Sequence, residues 1–176
     1  MHKLKSLHIA GCWLQEFTPH FSRIKPPLTQ LVLAEDTEID WSEIHELLLT
    51  LPTLVSLSIR QAGDIISGDA TIQPFDKESL PNLKRLVLAV EGEILYSLDQ
   101  FANITNLDRL ELGSSDGDFL PILTQRLRDG AFDGLKELGY VSASMQGDDW
   151  GQLHEICEER KILLEPGYST DLDFVL

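Results

Sequence analysis

A nine-residue pattern recurs along the whole chain and restricts its fold more than any other feature. It reads leucine, two variable residues, leucine, one variable residue, an aliphatic, two variable residues, and then a small or polar residue. The copies are Leu4, Leu7, Ile9, Cys12; Leu28, Leu31, Leu33, Asp36; Leu54, Leu57, Ile59, Ala62; Leu83, Leu86, Leu88, Glu91; and Leu107, Leu110, Leu112, Ser115. A sixth, Leu135, Leu138, Tyr140, Ala143, has an aromatic in third place, and a degenerate seventh centres on Ile162 and Leu164. The leading leucines are 24, 26, 29, 24 and 28 residues apart. That spacing fits a unit of one strand and one return segment, repeated.

The spaced aliphatics fall on one face of a short strand, because successive strand residues point to opposite faces. One such strand cannot bury that face, and stacked neighbours join their faces into a continuous core. The expected fold is an α/β solenoid of about six to seven repeats. Its parallel sheet lies on the concave side, with helices or irregular segments on the convex side. The repeat domain is expected over 1–165, followed by an acidic-hydrophobic tail over 166–176.

Four return segments carry helical spacing. They are Trp41, Ile44, Leu48 and Leu51, with Asp40 and Glu43 as a capping box; Ile94, Leu98 and Phe101; Phe119, Ile122, Leu123 and Leu127, between Asp118 as cap and Gly130 as stop; and Trp150, Leu153, Ile156 and Cys157. The stretch from Gly63 to Asn82 contains Gly68 and Pro74, shows no helical period, and reads as irregular.

These copies resemble the leucine-rich repeat family over essentially the whole chain, in particular its longer helix-bearing classes. Leu51-Pro52-Thr53-Leu54-Val55-Ser56-Leu57 and Leu80-Pro81-Asn82-Leu83-Lys84-Arg85-Leu86 are similar to the repeats that follow the F-box in fungal F-box proteins. The resemblance implies a leucine-rich-repeat solenoid that recognises protein partners. The chain departs from the family pattern in two ways. The 176 residues include no F-box, and only Cys12 occupies the usual Asn/Cys ladder position.

Charge narrows the partners. With 14 Lys and Arg against 29 Asp and Glu, the formal net charge is −15. Such a field repels phosphate backbones and anionic lipid heads, so nucleic acid and membrane are not expected, and a basic protein surface is. No apolar run reaches the roughly 18 residues of a membrane span. The opening residues do not form a signal-peptide block, so an intracellular location, cytoplasmic or nuclear, is expected.

The side chains between the core positions must project onto the concave sheet. From these come the candidate partner-binding residues His8, Gln30, Val32, Ser58, Arg60, Arg85, Val87, Arg109, Glu111 and Glu137. Parallel stacking puts equivalent positions about 4.8 Å apart. Arg85 and Arg109 are thus expected side by side, between Ser56 and Glu137, with Val32, Ser58, Val87 and Glu111 on the next row. The face reads as small-residued, with a few arginines and two exposed valines. Arginine is enriched in protein interfaces; the alternative is a solvated sheet whose Arg and Glu simply pair. A second candidate surface is an acidic edge after the strands: Glu35, Asp36, Asp64, Glu91, Glu93, Asp116, Asp118, Asp148 and Asp149. Carboxylates also favour helix N-termini, which explains the same pattern structurally. Arg23, Lys25, Lys84, Arg126, Arg128, Arg160 and Lys161 form a milder basic edge before the strands.

Catalysis is not expected. His154-Glu155-Ile156-Cys157 lacks a second ligand pair at metal spacing, and Asp116-Gly117-Asp118 lacks the remaining ligands of a calcium loop. Gly113-Ser114-Ser115-Asp116-Gly117 spells a nucleophile elbow, but Ser115 sits on the inward ladder position and no suitably placed histidine follows. No cofactor or metal is therefore expected. The first strand begins almost at residue 4 without a visible cap. Two readings follow: the chain is the repeat part of a longer ancestor, such as an F-box protein, now uncapped, or a partner or a second copy covers that N-terminal end by association.

Overall fold

A computed structural model of the chain describes residues 4–10, 14–34, 41–61, 73–90, 94–113, 119–141 and 148–166. Among these, seven strands form one open, wholly parallel sheet in chain order, and five helices lie between them, an architecture compatible with a repeat solenoid. The elements run β1 (Ser6–Ala10), α1 (Leu14–Ile24), β2 (Gln30–Ala34), α2 (Trp41–Leu49), β3 (Ser56–Gln61), β4 (Arg85–Val90), α3 (Ile94–Phe101), β5 (Arg109–Gly113), α4 (Leu120–Arg128), β6 (Glu137–Val141), α5 (Asp148–Arg160) and β7 (Leu163–Pro166).

The strand register follows the repeat. Leu7 aligns with Leu31, Leu57, Leu86, Leu110, Leu138 and Leu164 in turn, each against the next. The inward leucines of the second to sixth copies are at most 5% exposed and share one core with Trp41, Phe75, Phe101 and Phe132. Burying a leucine side chain contributes roughly 1.5–3 kcal/mol, so this shared layer fixes the register. A slip of one residue would turn every leucine outward.

Each unit hands its backbone to the next in the same way. The N–H groups of Thr29 and Gln30 both donate to the Lys5 carbonyl, and those of Val55 and Ser56 to Thr29. The pattern continues with Lys84 and Arg85 on Val55, Asp108 and Arg109 on Lys84, and Lys136 and Glu137 on Asp108. The family's ladder positions, Cys12, Asp36, Ala62, Glu91, Ser115 and Ala143, lie outside the described residues. A different ladder stands just ahead of the third, fourth and fifth repeats. Thr53 Oγ1 donates to the Leu28 carbonyl, Asn82 Nδ2 to Pro52 and Asn106 Nδ2 to Pro81. At the next step Gly134 takes the asparagine's place, and its backbone runs so close to the Thr105 carbonyl that a Cβ would collide with the oxygen.

The return segments follow the expected periods with two differences. In α4 the buried side chains are Leu120, Leu123, Thr124 and Leu127, and Ile122 is 41% exposed. Phe119 occupies the cap, so the helix turns Thr124 inward in place of Ile122; Asp118 lies outside the described residues. Gly130 ends the helix at φ +88°, with the Ala131 N–H reaching the Arg126 carbonyl. The second difference is α1, a helix with Pro19 inside it, which the sequence did not signal. Over 73–82 the chain is irregular, as expected. Phe75 pins it by stacking between His45, at 4.4 Å, and Phe101, at 5.2 Å. Burial pushes the His45 imidazole down from its ordinary value, against the Gln73 backbone hydrogen bond that raises it.

Candidate functional site

The outward-pointing residues of β1 to β7 line up across the outer face of the sheet in two complete rows. One runs Ser6, Gln30, Ser56, Arg85, Arg109, Glu137, Leu163, and the next His8, Val32, Ser58, Val87, Glu111, Gly139, Glu165. Arg60 starts a third row beside Ala89. All ten sequence candidates therefore lie on one face.

Glu111 is the hub of this face. Its Oε1 accepts from Arg85 Nε (3.1 Å) and Nη2 (2.8 Å) and from Arg109 Nε (2.7 Å). Arg109 Nη1 turns the other way, to Glu137 Oε2 at 2.8 Å and Glu165 Oε2 at 3.4 Å. Charge-assisted bonds of this kind are the stronger ones. Hydrogen bonding to Glu111 and Glu137 holds the Arg109 guanidinium above its ordinary value, against the burial that lowers it. Arg60 Nε donates to Ser58 Oγ at 3.2 Å.

The arginines thus lie across the second row. Ser58 is 7% exposed, Val87 6% and Glu111 6%, although all three point away from the helices. This corrects the expectation of two exposed valines: Val87 is buried and Val32 is half-buried. Gly139 makes room for the hub, since a Cβ there would meet Glu111 Cγ at 3.1 Å. Arg85 and Arg109 are neighbours, as expected, but each is engaged with carboxylates.

Beside the first row, Asp108 lies between Lys84 (3.7 Å) and Lys136 (2.7 Å). The Lys136 hydrogen bond leads in holding the Asp108 carboxyl below the usual range, assisted by the Lys84 charge. The same bond raises Lys136. Sequence reading missed Asp108, Lys136 and Glu165 as parts of this surface. The alternation of sign along 84, 108 and 136 was the available signal for the first two.

Of the acidic edge, Asp148 and Asp149 are exposed at the start of α5. Glu35, Asp36, Asp64, Glu91, Glu93, Asp116 and Asp118 lie outside the described residues. The basic edge is partly consumed. Arg160 turns inward to donate to the carbonyls of Leu127, Ala131 and Phe132, and Arg126 grips Asp99 with two bonds of 2.8 Å.

Of the catalytic readings, Ser115 and the rest of the elbow after Gly113 lie outside the described residues. His154 is exposed and sits 3.6 Å from Glu158 on its own helix. Burial pushes the Cys157 thiol up to about 11, which leaves it protonated at neutral pH. Among the described residues no group of three or more His, Cys, Asp or Glu is placed to hold a metal ion, and no helix is long and apolar enough to cross a membrane. No protein-family model and no curated protein matches the chain.

Proposed function

We propose that this chain is a non-enzymatic protein-binding module, a leucine-rich-repeat domain whose concave sheet face receives the partner, in the manner of the repeats that recruit substrates to F-box proteins. The observation that carries this reading is the clamped outer face. Two guanidiniums and three carboxylates are held in fixed positions on a sheet, and groups ordered in advance reduce the entropy lost on binding. The partner is a protein, and the −15 charge favours a basic one. Nucleic acid and anionic membrane fit that charge poorly.

The test uses partners recovered by crosslinking from the native cell. Reversing Arg85 or Arg109 would leave Glu111 beside further carboxylates and disturb the sheet itself, so Val32 is the better probe. Val32→Arg is expected to weaken a concave-face partner at least about tenfold, equivalent to about 1.4 kcal/mol. Ile122→Arg, on the helical side, is expected to leave it unchanged. The opposite result would refute the assignment.

Exposed Asp148 and Asp149 favour one second reading, an acidic binder of basic proteins that works through the sheet's edge. Binding abolished by moderate salt and indifferent to Val32→Arg would select it.

A further inference from the structure

We infer that a second copy of this chain docks head-to-tail, its β1 adding to the outer edge of β7 as an eighth parallel strand. This goes beyond the partner-binding reading and does not depend on it.

The two ends of the sheet are built to complementary patterns. At the first repeat, Leu4 is 53% exposed, whereas its counterparts Leu28, Leu54, Leu83, Leu107 and Leu135 are at most 5% exposed. Among the described residues, one core layer therefore stands open at β1. The backbone of β1 is divided by alternation. The Lys5 carbonyl faces β2, where it accepts from Thr29 and Gln30, so Ser6 and His8 turn their N–H and C=O groups outward. At the other end the Leu163 N–H faces β6, donating to the Lys136 carbonyl, so the Ile162 carbonyl and both groups of Leu164 face outward. Each of these outward rows belongs to a terminal strand of the sheet.

What fits the β7 edge is a strand of this repeat, and β1 is such a strand, with no strand paired to its outward edge among the described residues. Five times in the chain, two successive N–H groups converge on the carbonyl just before the preceding strand. The next acceptor in that series is the Ile162 carbonyl, and the donors are Lys5 and Ser6 of the second copy. This register sets Ser6 beside Leu163, Leu7 beside Leu164, and His8 beside Glu165. The open layer at Leu4 and Leu7 of the second copy is then covered by the β7 end of the first. Residue 166 is a proline without a backbone N–H, so the ladder is short and the association reversible.

Charge decides between this geometry and a two-fold dimer. Around β1 and α1 the described charges are Lys5, Arg23 and Lys25. Over α5 and β7 they are Asp148, Asp149, Glu155, Glu158, Glu159 and Glu165 against Arg160 and Lys161. Pairing like ends sets like charge against like charge, whereas head-to-tail pairing sets the cationic end on the anionic one. A head-to-tail contact does not close on itself, so it yields a series of sizes.

Sedimentation of the full chain over a wide dilution series tests the inference. The expected result is an average mass that climbs through dimer and beyond with concentration and falls with salt. His8→Pro removes an outward N–H from an edge strand; it is expected to be monomeric with an unchanged far-UV spectrum, and to lower the average mass when mixed with the unaltered chain. His8→Glu is expected to abolish association and the double change His8→Glu, Glu165→Arg to restore it, which decides the matter if the proline variant fails to fold. A monomer at every concentration, a mass that stops at dimer, or growth indifferent to a folded His8 variant would each overturn it.

Discussion

The two halves of the outer sheet face are built from the same repeat and behave differently. Over β1 and β2 the row residues are Ser6, His8, Gln30 and Val32, all partly or wholly exposed. Over β4 to β7, Arg85, Arg109, Glu111, Glu137 and Glu165 form one connected ion-paired network roofing a buried row. The backbone and the inward leucines are equivalent in both halves. The difference comes from long side chains with partners one strand away, and from a second neighbour being present. Among the described residues, the centre of the stack is covered on both sides, and β1 on one only. Position in the stack, more than residue type, therefore sets what a side chain contributes.

The largest expected effect tests that statement at one consensus position. Leu83→Ala, fully buried in the centre, is expected to cost about 2–5 kcal/mol in chemical denaturation. Leu4→Ala, at the same place in the first repeat but 53% exposed, is expected to cost less than about 1 kcal/mol. Equal losses would mean that the first repeat is covered in solution. Under the head-to-tail inference, the Leu4→Ala loss should therefore grow with protein concentration.

The next comparison lies on the second row of the outer face. Glu111→Gln keeps the shape but removes the charge that two guanidiniums share. Because Arg85 and Arg109 are only partly buried, solvent screens some of the loss, and about 1–2 kcal/mol is expected. Val32→Glu, on the same row at β2, is expected to change stability by less than about 0.5 kcal/mol, as for an ordinary surface site. A near-zero value for Glu111→Gln would reduce the network to a surface decoration.

Much of this arrangement can be read in the sequence, because a strand's side chains alternate with period two and the repeat fixes the register. That logic placed Arg85 beside Arg109 and put Val87 and Glu111 on one row. It did not say that Glu111 and Val87 would be buried. Alternation gives direction, but burial on an outer face depends on side chains from the neighbouring strands and on the room Gly139 leaves, contacts made across 26 to 28 residues of sequence. Glu165 was missed because the seventh copy lacks the leading leucine that would have set its register. The inter-repeat ladder of Thr53, Asn82 and Asn106 was overlooked since it stands ahead of the consensus and not within it. In α4 the error was one of rotation: Ile122 and Thr124 differ by a little over half a turn, and the cap at Phe119 selects the threonine side.

The smallest expected effect concerns the row that begins at Lys5 and Thr29 and carries ion pairs at Lys84, Asp108 and Lys136. Asp108 is held below its ordinary carboxylate value, chiefly by the Lys136 hydrogen bond. A carboxyl whose folded value is depressed binds fewer protons folded than unfolded. Its stabilisation is therefore complete above the unfolded value, near pH 4, and is lost as the pH falls through the folded value. Asp108→Asn should accordingly lower the melting temperature slightly at neutral pH, and the gap to the unaltered chain should narrow below about pH 4. Thr29→Asn, at the corresponding place ahead of β2, has no cation pair to lose and should shift the melt equally at both pH values. A gap for Asp108→Asn that stays constant through acid would place the benefit in the backbone handoff that both residues share, leaving the two halves of the face electrostatically alike along this row.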